Sequence, residues 1–421
     1  MKTNQNKGIS LIVLVITIII MIILAGAIIL ALNSSNIIGR AQEARNKTDY
    51  ASARDVVTLA NGEWILMSEA EQTEASSDGT FATYAEEKLE EAGVPAGKYV
   101  VGEDGKIVAK PLGGIVQGGV PIPEGFEYVT GTKDTGFVIK SNTMNDGGYD
   151  EYVWVPVDII PGGLAIKDYG KGYPYQADKN ADNKMPSEMQ ESIAKYNGFY
   201  VGRYEAGISS NNYSGSADTT GTKKPLSQKN KYVWNYIAYD ADYSGSGHGN
   251  PNNKGAVRVA RSLGAFYGDK VGSDLLYAEQ WDTICKWIDS ATTSVTNSTE
   301  WGNYYNHAYT LTNTSSKYST NDGSSYTNVT SNSKTASKSW LLTTGADEEF
   351  KAKNIYDFAG NVWEWTHEKY GSDGRMLRGG SYFGGIYVSG GGVDDPASGR
   401  NYNRPVFSYS THGFRVALYI K

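Results

Sequence analysis

Residues 354–366 read NIYDFAGNVWEWT, residues 378–382 read RGGSY and residues 413–417 read GFRVA. Each string alone is a weak signal; in this order and at this spacing the three together are a strong one. Trp363 and Trp365 are read as core residues, because large indoles bury well and dominate interiors. Arg378 and Arg415 are read as partners of buried carboxylates or carbonyls rather than as ligand contacts, since a buried guanidinium needs such a partner.

Upstream, YVWVPV (152–157) and FYVGRYE (199–205) are rich in β-branched and aromatic residues and read as strands. LLYAEQWDTICKWI (275–288) reads as a helix with Leu276, Trp281, Ile284, Cys285 and Ile288 on or near one face. Residues 290–338 are dominated by Ser, Thr, Asn and Tyr, a composition that predicts a surface excursion or partial disorder. With these pieces in place the stretch from Tyr152 to Ala417 resembles the formylglycine-generating enzyme and sulfatase-modifying factor family, whose fold is a variant of the C-type lectin fold. The resemblance implies two active-site cysteines and copper in the enzymes, the cysteines three and eight residues past the RGGS serine. Here those positions hold Gly384 and Ser389, and neither supplies the soft thiolate that copper(I) favours. The expectation is a catalytically inactive domain without copper, with Cys285, the only cysteine, as a buried structural thiol. The resemblance also implies a calcium ion held by the side chains of Asp357 and Glu364 and the carbonyls of Gly360 and Val362, a hard-oxygen set of the kind calcium prefers. The alternative is that Asp357 and Glu364 satisfy local backbone donors.

Between Arg378 and Arg415 the chain is rich in Gly, Tyr, Ser, Asn and Asp. Antibody paratopes use a similar palette, because rigid aromatics lose little entropy on binding and small polar residues adapt their hydrogen bonds. Tyr382, Phe383, Tyr387, Ser389, Asp394, Asn401, Tyr402, Asn403 and Tyr409 are the candidate ligand-binding residues. This segment resembles the diversified C-terminal segment of variable proteins of diversity-generating retroelements; the alternative is an irregular fold whose loops simply use Gly and Tyr. A Ser381–His412–Asp394 triad has no nucleophile-elbow context, no GxxxxGK[ST] or HExxH motif is present, and Asp394–Asp395 reads as a solvated loop.

At the other end, Ile9 to Leu32 run for 24 residues without a charge behind the polar leader MKTNQNKG. At 1.5 Å per residue that helix spans about 36 Å, enough to cross a bilayer core of about 30 Å. It is longer than the apolar region of a cleaved secretory signal. Beyond Asn33–Asn36 a second helix is expected from Ile38 to Gln72, with Ala53, Val56, Val57, Ala60, Trp64 and Met67 forming an apolar stripe suited to sister helices. Residues 1–70 resemble a type IV prepilin N-terminus, which implies cleavage between Gly8 and Ile9. The family's Glu five residues into the mature chain is Val13 here. Residues 81–92 read as a short helix and 99–101 with 106–108 as a hairpin. The Gly- and Pro-rich stretch 112–124 reads as a linker.

The whole chain of 421 residues carries 39 Lys and Arg against 46 Asp and Glu, a net −7 that argues against nucleic-acid binding. Four scattered histidines, His248, His307, His367 and His412, argue against a His-rich catalytic metal centre. The fold class expected is α+β: a leader (1–8), a pilin-like transmembrane and stalk helix (9–72), a small α/β module (73–111), the linker, and a C-type-lectin-like domain rich in irregular loops (125–421). The function expected is a surface-binding protein anchored in the membrane through residues 9–32, with the bulk of the chain extracytoplasmic. It would engage an external protein or glycan, and other pilin-like subunits where filaments form. The alternatives are a structural pilin subunit without a specific ligand, and an enzyme with altered chemistry on the same scaffold.

Overall fold

The computed structural model describes residues 37–421 except 96, 103–104, 161–162, 165, 167–171, 177–183, 219–221, 241–254 and 384–394, with side chains described from 49 onward except at 159. The leader, the Gly8–Ile9 junction and the apolar run 9–32 lie outside the described residues. Among the described residues no helix is long and apolar enough to cross a membrane.

The chain opens with α1 (Ile37–Leu66), which buries Ala53, Val57 and Ala60 at helical spacing. That stripe is covered by the chain's own elements, not left open for sister helices. The expected continuous helix to Gln72 breaks at Ser68. Its hydroxyl accepts from the Glu71 N–H while the Glu71 carboxylate accepts from Ser68 N at 2.8 Å, a capping box that starts α2 (Glu69–Ala75) afresh. Next come α3 (Phe81–Glu91), capped by Thr80, and the antiparallel hairpin β1 (Tyr99–Val101) with β2 (Ile107–Ala109). The stretch read as a linker is instead a second hairpin, β3 (Ile115–Gln117) and β4 (Val120–Ile122). Val120 and Ile122 are buried in the same apolar cluster as Ala53, Tyr84 and Trp154. The apolar valine and isoleucine between the Gly and Pro residues decide this outcome, so the stalk, module and main domain share one core.

The main domain continues with β5 (Phe126–Thr130), β6 (Phe137–Asn145), β7 (Gly148–Pro156), α4 (Ser187–Tyr196), β8 (Gly198–Gly202), α5 (Ala256–Phe266), β9 (Val271–Leu275) and α6 (Ala278–Ile288). It closes with β10 (Trp363–Tyr370), β11 (Gly374–Arg378), β12 (Arg400–Asn403), β13 (His412–Phe414) and β14 (Val416–Ile420). Six strands form an antiparallel sheet in the order β9-β14-β8-β7-β6-β5. Side chains alternate between its faces: Tyr152, Trp154, Tyr200 and Leu418 join one core with α1 and α5, while Val153, Val155, Phe199 and Ala417 join another with α4 and α6. Both faces are covered, which is why these strands read as near-continuous apolar runs.

The second sheet has the order β12-β11-β10-β13, with β10 and β13 parallel. Residues 290–338 do not form a coreless excursion. Residues 309–311 pair with 332–334, and Tyr309, Leu311, Val329 and Phe350 build a small core of their own. A few well-placed aromatic and aliphatic residues suffice there, although the average composition is polar.

Candidate functional site

The NIYDFAGNVWEWT string makes a tight loop before it enters β10. Asp357, Gly360 and Asn361 all adopt positive φ (55°, 77° and 56°). At Gly360 a Cβ would lie 2.3 Å from the Asn303 carbonyl oxygen, so the turn admits glycine alone. The loop and the GFR string converge on Arg415, which is fully buried at the β13–β14 junction. Its Nε donates to both Glu364 carboxylate oxygens at 3.1 Å, Nη1 to the Gly202 carbonyl at 2.9 Å, and Nη2 to Glu364 at 2.7 Å and the Tyr356 carbonyl at 2.8 Å. Two further buried carboxylates face the same region. Glu205 accepts from Asn361 Nδ2 at 2.7 Å and Val362 N at 3.2 Å, and Asp357 Oδ2 accepts from Gly345 N at 2.6 Å.

Three buried carboxylates thus share one guanidinium. Burial raises the pKa of all three, with Arg415 pulling the other way; Asp357 is held at about 7. Asp357 Oδ1 has no hydrogen-bond partner among the described residues. Of the two expected side-chain calcium ligands, Asp357 therefore presents an open oxygen, while Glu364 is engaged by Arg415. Among the described residues no group of three His, Cys, Asp or Glu side chains is arranged to hold a metal.

A second set of charges surrounds Arg378. Its Nη2 donates to Asp282 at 2.8 Å and its Nη1 to Glu368 at 3.3 Å; Arg400 bonds the other oxygen of Asp282 and donates to Glu368 at 3.1 Å. All four side chains are buried, so two cations and two anions close a square. Arg378 pairs with carboxylates as the sequence reading expects; Asp282, Glu368 and Arg400 were not foreseen. The signals were present: Asp282 lies three residues from Cys285 on the apolar face of α6, and Glu368 follows Glu364 at even spacing along β10. Arg378 stands six residues before 384 and Arg400 six after 394, so the square clamps the chain on both sides of 384–394.

The candidate ligand residues divide. Tyr382 is buried, 1% exposed, among Val233, Leu341 and Val362, and its N–H donates to the Asn361 carbonyl at 2.9 Å. It is a core residue because the RGGS turn delivers it under the NVW loop, which corrects its reading as a surface contact. Phe383, Tyr402 and Tyr409 are exposed by 42%, 41% and 39%, and Asn401 and Asn403 are half-buried. Tyr387, Ser389 and Asp394 lie outside the described residues, as does Gly384. Asp395 is buried, not solvated. His412 is buried beside Trp365, contacts Asn403 and Thr411, and burial depresses its pKa to about 3. Cys285 is fully buried in α6, and burial pushes its thiol far above the ordinary range.

A family model for the sulfatase-modifying factor enzyme 1-like domain matches residues 159–420. A comparison with curated proteins finds none that matches. Among solved structures, CarF is similar at 16% identity with a TM-score of 0.29, covering 61% of this chain and 100% of CarF. Treponema denticola variable protein 1 is similar at 14% identity with a TM-score of 0.30, covering 69% of this chain and 98% of that protein. Similarity at that level bears on neither ligand nor chemistry.

Proposed function

The chain belongs to the sulfatase-modifying factor enzyme 1-like family, and on that premise we propose that it is a surface protein whose C-type-lectin-like domain binds an external ligand without catalysis. One observation carries this reading: exposed Phe383, Tyr402 and Tyr409 flank a segment whose two ends are clamped by the buried Arg378–Asp282–Arg400–Glu368 square. Such an arrangement lets surface side chains vary while the framework holds, which suits a diversified binding segment. Binding rests on Phe383, Tyr387, Ser389, Asp394, Asn401, Tyr402, Asn403 and Tyr409. Catalysis of the family kind has no thiolate to use, because Gly384 and Ser389 stand at the cysteine positions and Cys285 is buried. Residues 1–8 serve as a prepilin-like leader and residues 9–32 as the membrane anchor, with or without assembly into a pilus. A calcium ion belongs to this reading, held by the side chains of Asp357 and Glu364 with the carbonyls of Gly360 and Val362, and Asp357 Oδ1 is the oxygen open to it.

The test is cell adhesion. Cells displaying the full chain are compared with cells displaying a Phe383→Ala, Asn403→Ala, Tyr409→Ala triple variant. The expected result is loss of adhesion with a thermal midpoint within a few degrees of the parent. Substitutions at exposed positions such as Phe383 and Tyr409 usually change stability by about 0.5 kcal/mol or less each, and the hydrogen bonds of half-buried Asn403 contribute about 1 kcal/mol. Unchanged adhesion, or equal loss of adhesion and stability, overturns the assignment.

A further inference from the structure

Three tyrosines from distant parts of the chain meet at the surface beside β12. Tyr370 ends β10, Tyr402 projects outward from β12, and Tyr173 comes from the stretch 172–176. The Tyr402 ring centroid lies 4.5 Å from that of Tyr370 and 4.7 Å from that of Tyr173, and the last two are 5.1 Å apart. The Tyr173 and Tyr402 planes stand 87° to each other. Both rings remain exposed, by 40% and 41%. Clustered rings left open to water forgo burial worth about 25 cal/mol per Å², and such patches mark interaction sites.

The backbone holds this cluster in place. Tyr173 N donates to the Arg400 carbonyl at 2.9 Å, and Gly172, at φ +78°, packs so closely that a Cβ would fall 2.1 Å from that oxygen. Gln176 Oε1 accepts from Gly371 N at 2.7 Å, tying the same stretch to the β10–β11 turn. Arg400 is itself a corner of the buried charge square, so the rings stand on a firmly held base.

The polar border has a definite character. Asn401 and Asn403 alternate with Tyr402 onto the opposite face of β12, where Asn403 Nδ2 stands 3.5 Å from His412 Nε2, so they lie outside this border. Arg404 and Asp373 stand 3.6 Å apart, both well exposed. Exposed aromatic rings edged by one mixed-charge pair complement a molecule with an apolar C–H face and a rim of hydroxyls. C–H edges carry partial positive charge and favour the negative face of an aromatic ring. A phosphorylated ligand would call for clustered cations, and Arg404 is paired with an acid. A proline-rich helix docks in an aromatic-lined groove, whereas rings at 87° make a corner.

We propose that Tyr173, Tyr370 and Tyr402 form a carbohydrate-stacking platform that binds pyranose units of an external glycan. This rests on the ligand-binding reading and extends it to two residues outside 382–409.

The experiment applies the full-length chain, in a detergent without a sugar headgroup, to a broad array of immobilised glycans. Binding to a subset is expected. Tyr402→Ala and Tyr173→Ala should each weaken it by about tenfold, the loss of an aromatic anchor. Tyr402→Trp should restore it, and Tyr149→Ala, at an exposed tyrosine on β7 outside the binding set, should leave it within about twofold. Unchanged thermal midpoints show that the variants fold. Glycan binding that survives Tyr173→Ala overturns the platform. If no glycan binds while cells still adhere through Phe383, Asn403 and Tyr409, the platform is overturned and the ligand-binding reading stands. If neither glycan binding nor adhesion is found, both fall.

Discussion

His412 illustrates how burial converts an ordinary side chain into a determinant of pH behaviour. Its ring lies between Trp365 and Tyr409, with Asn403 and Thr411 as polar neighbours, and its pKa falls to about 3. Between that value and the unfolded value near 6.5, the unfolded chain binds the extra proton and the folded chain does not. Stability from this group is therefore complete above about pH 6.5 and declines as pH falls toward 3. A His412→Gln variant should show a flatter stability profile over that window in chemical denaturation, by a few kcal/mol at the acid end; parallel profiles would refute the account. Asp357 offers a second test, since one of its oxygens is open. Calcium at about 100 times its Kd should stabilise the chain by about 2.7 kcal/mol, raising the thermal midpoint, and Asp357→Asn should remove that rise. A midpoint indifferent to calcium would assign the open oxygen to a proton.

At the level of elements, the charge square joins α6 to β10, β11 and β12, which lie some way further along the chain. Asp282→Asn leaves two buried guanidinium groups sharing Glu368. Breaking a buried pair in this way typically costs about 3–5 kcal/mol, because the remaining charge loses its compensation. The expected signs are a lower midpoint of chemical denaturation and faster amide exchange along Arg400–Asn403; loss of stability without the local exchange change would show that β12 is held by its pairing with β11 alone. Element positions were well anticipated where local chemistry decides them. The 81–91 helix starts at Thr80, and the 99–109 hairpin and the two strands around Trp154 and Tyr200 lie where aromatic and β-branched runs place them. Elements that depend on a distant surface were not anticipated: the 115–122 hairpin is defined by the core it covers, and the polar 290–338 segment by the few aromatics it encloses.

Across the whole molecule, α1 is bound into the main domain, so the proposed anchor at 9–32 precedes a helix packed on that domain. The full-length chain should sediment with membranes and resist alkaline extraction, while a variant lacking residues 1–36 should be released; equal partitioning would remove the anchor from the account. By itself the sequence determined the family, through three motifs whose residues the local geometry uses: a glycine where the loop crowds Asn303, tryptophans that fill the core, and arginines that are buried with carboxylate partners. It also determined the absence of cysteines at 384 and 389. Tertiary structure alone decided that Tyr382 is core while Tyr402 is surface. Both are tyrosines in one Gly-rich stretch, and which ring meets water depends on the NVW loop and on β12, set by strand pairing far away in the chain. It alone decided that Arg378 and Arg400 share two carboxylates, because buried charges find their partners through packing, and packing has no register in the linear sequence.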